Sequence, residues 1–109
     1  DAVIVGAVRT PIGKGKANGA LHGVLPADLL AHSLRELISR TGVDPALVDD
    51  VIAGCVDAIG PQAGNIARLS WLAAGYPEEV PGVTVDDIET TSKTLPDFPG
   101  MWQQMVGHP

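Results

Sequence analysis

The sequence predicts an α/β layered fold, and three observations carry that prediction. Short β-branched apolar runs occur at residues 2–8 (AVIVGAV), 51–56 (VIAGCV) and 83–85 (VTV). Between them lie two stretches whose apolar residues recur at helical spacing, giving the order strand–helix–strand–helix–strand and right-handed crossovers. Hydrophobic residues make up 45% of the chain but aromatic ones only 4%, so the core is expected to be built mostly from Ala, Val, Leu and Ile. Such small side chains pack closely between α/β layers. The 109 residues allow one modest core, and no internal repeat or low-complexity tract is present.

Each element has its own signals. The run at 2–8 is apolar on both faces and bounded by Arg9-Thr10-Pro11, so it reads as a strand buried on both sides. The Gly-rich stretch that follows, with Gly13, Gly15, Gly19 and Gly23, is too long for an ordinary connection and is expected to be functional or packed against something else. Pro26 suits a first helical turn and Asp28 favours its positive end. Leu29, Leu30, Leu34, Leu37 and Ile38 then form one stripe, and Gly42 is placed to close the helix. Asp44-Pro45 begins a short turn, with Asp44 as its cap. In the second run, Gly54 lowers strand preference and suggests a close approach by another group. Residues 65–74 (NIARLSWLAA) read as a second helix, ended by Gly75 and Pro77.

The chain changes character after Asp86. Residues 87–109 hold three of the nine prolines and show no clear period, and they are read as a divergent tail. Phe98, Met101, Trp102 and Met105 either form a weak amphipathic turn that docks on an apolar surface or belong to an irregular tail.

Composition excludes several functions. Seven basic residues against thirteen acidic ones give a net charge of −6, which argues against nucleic-acid binding. Arg9, Lys14 and Lys16 are the densest basic group, read either as solvated loop charges or as phosphate contacts. No apolar run approaches the roughly 18 residues that span a bilayer, and no signal pattern opens the chain. Cys55 is the one cysteine, so no internal disulfide forms and a reducing, cytoplasmic location is expected. The chain starts at Asp1 without a Met, so a short leader is expected to precede it.

Tests for chemistry are mostly negative. Gly13-Lys14 is followed by Gly15, not Ser or Thr, which fails the phosphate-loop pattern. No helix opens after Gly13 and Gly15 to make a dinucleotide turn, and no Gly-x-Ser-x-Gly elbow occurs. His22, His32, His108 and Cys55 lack metal-ligand spacing, so no metal site is assigned. Cys55 lies within an apolar strand, without the exposure and cationic neighbour that activate a thiol, and reads as structural. Asp49-Asp50 and Glu78-Glu79 read as solvated surface pairs.

The segment order nevertheless resembles a known family. The opening AVIVGAVRTPIGKGKANGAL is similar to the first strand and loop of thiolases, the acetyl-CoA acetyltransferase and 3-ketoacyl-CoA thiolase family. PADLLAHSLRELISRTGVDPALVDDVIAGCV resembles that family's next block, and GNIARLSWLAAGYPEEVPGVTVD its third, so the likeness covers residues 1–86. It implies part of a five-layered αβαβα fold, membership of the acyltransferases of lipid metabolism, and coenzyme A thioesters as substrates with no bound cofactor. In that family a cysteine thiolate at a helix N-terminus takes the acyl group, a histidine activates it, and a second cysteine moves the α-proton.

Carried onto this sequence, the likeness implies an absence. The family continues beyond the Thr-Val strand with Arg, a variable residue and the nucleophilic Cys. Here Asp87, Ile88 and Glu89 follow Asp86, then Thr90 and Thr91, and the nucleophile position falls on Glu89. A carboxylate would form a mixed anhydride in place of a thioester. The chain is therefore expected to be an inactive thiolase segment, through truncation, frameshift or an incomplete sequence. The alternative is a non-catalytic thiolase-like module that forms homo-oligomers or binds a partner protein. Acyl-CoA binding by this chain alone is not expected, because the family's CoA-contacting segments lie mostly beyond this stretch.

Overall fold

The computed structural model describes residues 1–86. Four regular elements follow in order: α1 (Pro26–Thr41), β1 (Val51–Cys55), α2 (Ile66–Ala73) and β2 (Gly82–Asp86). Short 3₁₀ turns at Pro45–Leu47 and Gly60–Gln62 flank β1. β1 and β2 pair in parallel, with Val51 opposite Gly82 and Cys55 opposite Asp86. The fold is thus α/β: two helices and a parallel pair of strands joined through α2.

Local chemistry sets the boundaries. Pro26 opens α1 and Asp28 sits in its first turn, where the helix dipole favours an anion. Gly42 closes the helix at φ 71°, and its N–H donates to the Ile38 carbonyl at 2.9 Å. A side chain there would strain the left-handed backbone. The Asp44 carboxylate accepts from the Ala46 N–H at 3.0 Å and starts the turn at Pro45.

Val51, Ala67, Trp71 and Val80 form the core, with Leu34, Val48, Ala53 and Tyr76 packed around them. Trp71 is 2% exposed, its indole N–H donates to the Pro77 carbonyl at 2.8 Å, and its ring lies 4.8 Å from that of Tyr76. Five of the six buried hydrophobic residues among those described are Ala, Val or Ile, as the composition predicts, and Trp71 is the one large ring set among them. From α1, the Arg35 guanidinium donates to the carbonyls of Ala73 (2.9 Å) and Ala74 (3.4 Å), satisfying the end of α2.

Two local expectations are overturned. Residues 2–8 form no strand among the described residues, and Val3, Ile4 and Val5 are exposed. This run lies along α1 instead: a Cβ at Gly6 would meet the Thr41 methyl at 2.7 Å and Leu37 at 3.3 Å. A strand requires a hydrogen-bonded neighbour, and the run takes none from the β1 edge. The second correction concerns Gly54, where a close approach was expected. Nothing lies within 4 Å of a Cβ built there. Gly54 sits on the sheet face opposite α2, and that face is uncovered, with Ile52 59% and Val83 38% exposed.

Candidate functional site

The densest side-chain hydrogen bonding among the described residues lies where β2 opens beside the first turn of α2. Asn65 caps α2 by accepting from the Arg68 N–H at 3.2 Å, and its amide donates to the Gly82 carbonyl at 2.7 Å. The Thr84 hydroxyl donates to the Asn65 side-chain oxygen at 2.9 Å and accepts from the Ala67 N–H at 3.1 Å. Arg68 donates to the Val80 carbonyl at 2.6 Å. Five hydrogen bonds thus fix the first turn of α2 and the strand beside it.

Gly82 lets the two backbones come together. A Cβ there would lie 2.9 Å from the Arg68 nitrogen and 3.0 Å from its Cα, closer than a side chain tolerates. The result is a rigid platform from which the chain leaves at Asp86, alongside Cys55.

A cavity of about 470 Å³ opens beside this platform. Leu29 and Leu30 of α1, Ile66 of α2, and Gly54, Cys55 and Val56 contribute to its wall. Cys55, read as buried within a strand, stands at the C-terminal end of β1, half-buried and facing this space. Among the described residues the wall includes Thr10, Ser33 and Gln62 but no charged side chain, the kind of group that activates a thiol. The described wall is apolar with a few neutral polar groups.

A second cavity, about 360 Å³, lies between the N-terminal run and α1. Arg9, His32, Glu36 and Arg40 line it. Arg40 is engaged by Glu36 at 2.9 Å. Lys14 and Lys16 line neither cavity; their carbonyls close the turn by accepting from Leu21 (3.0 Å) and Gly19 (2.8 Å). The three basic residues therefore do not share one pocket. His22 bonds the Gly15 carbonyl at 3.1 Å, and the Asp49-Asp50 and Glu78-Glu79 pairs are exposed. Glu89, His108 and the stripe from Phe98 to Met105 lie outside the described residues.

Sequence reading missed the Asn65–Thr84 link. The signal for half of it was present, since an Asn before an apolar helical run is a capping signature. That Thr84 would complete the cap follows only from the packing of β2 against the first turn of α2.

A parallel strand pair joined through a capped helix is the kind of unit from which layered α/β enzymes are assembled. Comparison with known proteins narrows this. The family model for the N-terminal domain of thiolase matches residues 2–93. The chain belongs to the thiolase family, and the matched part is its N-terminal segment. It is 70% identical over 86 residues to the steroid 3-ketoacyl-CoA thiolase FadA6 of Mycobacterium tuberculosis, covering 79% of this chain and 21% of that protein. It is 44% identical over 87 residues to the β-ketoadipyl-CoA thiolase of Escherichia coli, covering 79% of this chain and 21% of that protein. The crystal structure of the Bacillus anthracis acetyl-CoA acetyltransferase superposes with a TM-score of 0.55 at 41% identity, covering 63% of this chain and 17% of that one. The chain spans about a fifth of the length of the curated relatives it matches.

Proposed function

We propose that residues 1–86 serve as the opening α/β layer of a thiolase acting on 3-ketoacyl-CoA thioesters, holding the strand end from which the nucleophile segment departs. We further propose that this chain, with Glu89 at the nucleophile position, forms no acyl-enzyme by itself. The observation that carries the first part is the Asn65–Thr84–Ala67 network, which ties the middle of β2 to the N-terminus of α2. The 70% identity to a steroid 3-ketoacyl-CoA thiolase supports the substrate class.

The second part follows from the chemistry of acyl transfer. The thioester intermediate requires a thiolate, and thiolysis also needs a base to generate it. Cys55, the chain's one thiol, faces a recess that has no charged group among the described residues. A carboxylate attacking a CoA thioester would have to expel the better nucleophile, so the equilibrium lies with the thioester.

The test is to incubate the 109-residue chain with acetoacetyl-CoA and free CoA, following loss of the 3-ketoacyl thioester and the intact mass. Neither turnover nor an acyl adduct is expected. An adduct mapped to Cys55 or Glu89, and abolished by Cys55→Ser or Glu89→Gln, would overturn the second part. For the first part, the genomic reading frame after the codon for Asp86 decides. A frame that continues with the family's later blocks supports the layer reading, and one encoding Arg-x-Cys in place of Asp87-Ile88-Glu89 also restores the nucleophile. A frame unrelated to thiolases beyond that codon counts against it.

A further inference from the structure

The Gly-rich loop turns on Asn18-Gly19. Asn18 is the one non-glycine residue with a positive φ among the described residues, at 67°, in a left-handed region that asparagine enters more readily than most side chains do. The Gly19 N–H donates to the Lys16 carbonyl at 2.8 Å, and the Leu21 N–H donates to the Lys14 carbonyl at 3.0 Å. A Cβ at Gly19 would run into that same Lys14 carbonyl, so no larger residue fits there without moving the turn. The turn therefore calls for asparagine or glycine at position 18 and for glycine at position 19.

We propose that Asn18 is a modification site, deamidating spontaneously through a cyclic imide formed with Gly19. The Gly19 backbone nitrogen gives up its proton and attacks the side-chain carbonyl carbon of Asn18. A C–N bond forms, the bond to the side-chain amide nitrogen breaks, and ammonia leaves. Water, the only co-reactant, then opens the ring at either carbonyl to give aspartate or isoaspartate. Glycine at the following position leaves the nitrogen unshielded, because no Cβ stands in the way. Asn18 is exposed, and its side chain takes part in none of the hydrogen bonds among the described residues. The other asparagine of the chain, Asn65, has opposite surroundings. Its side chain accepts from the Arg68 N–H and the Thr84 hydroxyl and donates to the Gly82 carbonyl, and the residue after it is the buried, β-branched Ile66. The bond from Gly19 to Lys16 occupies the attacking nitrogen, so the reaction at Asn18 waits on an opening of the turn. Either product places a carboxylate close in the chain to Lys14 and Lys16, and isoaspartate lengthens the main chain by one carbon inside a turn closed by two hydrogen bonds. This inference does not depend on the thiolase reading, and the experiment distinguishes the two because it measures no activity.

The experiment is a timed incubation of the full 109-residue chain in mildly alkaline buffer, read by peptide mapping in a mass spectrometer and by methyl transfer from an isoaspartyl methyltransferase. Asn18 should exchange its amide for an acid at least about ten times faster than Asn65, since a loop turn opens far more readily than a capped helix start. Isoaspartate should be among the products at position 18. Asn18→Gly keeps a residue suited to the left-handed turn and should abolish the methyl-transfer signal. In guanidinium chloride, which frees the Gly19 nitrogen from Lys16, Asn18 should react roughly two to ten times faster than in the folded chain, the factor set by losing one exposed hydrogen bond. An unreacted Asn18, an Asn65 that reacts as fast in the folded chain, or a product that is aspartate alone would overturn the proposal. A rate at Asn18 that denaturant leaves unchanged would overturn the part assigned to the Gly19–Lys16 bond. The near-ultraviolet signal of the Trp71–Tyr76 pair reports that the core has stayed folded through the native incubation.

Discussion

Residues 2–8 and 82–86 are built from the same material, short β-branched runs beside a helix, yet only the second becomes a strand. The later run has β1 as its hydrogen-bonded neighbour, α2 above it, and Thr84 and Gly82 fitted to that helix. The earlier run has α1 against Gly6 and no ladder, and Val3, Ile4 and Val5 face outward. Residues 2–8 are at least as strand-prone as 82–86, which carry Gly82 and Asp86, so the difference lies in the neighbours. The comparison teaches that an apolar run becomes a strand where a partner edge and a covering helix arrive together.

Substitutions should separate the two regions. The largest effect is expected for Trp71→Ala, which empties the centre of the α2–β2 block. A loss of about 3–5 kcal/mol should appear in urea unfolding, enough to leave so small a chain largely unfolded. Gly82→Ala comes next: its methyl would press on the Arg68 backbone, and overpacking of this kind costs about 1–3 kcal/mol in the same measurement. Asn65→Ala removes the α2 cap and strips Thr84 of its acceptor, for a loss of about 1–2 kcal/mol and faster amide exchange at Ala67 and Arg68. The smallest effect belongs to the N-terminal run, where Ile4→Thr at a 92%-exposed site should change stability by no more than about 0.5 kcal/mol. An Ile4→Thr loss as large as that of Gly82→Ala would show that residues 2–8 are paired after all, and would erase the contrast.

What could be read from the sequence follows the range of the forces involved. The limits of α1 were legible because Pro26, Asp28 and Gly42 act within one helical turn. The Asp44-Pro45 turn was legible for the same reason. β1, α2 and β2 were legible within a residue or two, since the β1 run is flanked by Asp50 and Asp57, and α2 and β2 are set off by Gly64, Gly75, Pro77 and Pro81. Non-local facts were out of reach. No pattern within residues 2–8 says that β1 will offer no ladder. Gly54 looked like a site of close approach because a strand glycine often is one, and only the arrangement of layers shows open space there. The position of Cys55 at the strand end beside a cavity, and the bond from Thr84 to Asn65 across 19 residues, likewise depend on which elements meet. The family likeness carried the order of three blocks, which is non-local information, but none of these contacts, and it too implied a first strand at residues 2–8.

Arg35 has a consequence for how the molecule opens. One side chain of α1 occupies the last carbonyls of α2, at residues 73 and 74. When α1 lifts away, those carbonyls lose their donor, and the end of α2 is weakened in the same event. Detachment of the first helix and fraying of the second are therefore one cooperative step. Amide protons at the end of α2 should accordingly share an opening free energy with those of α1, although more than thirty residues separate them in the chain.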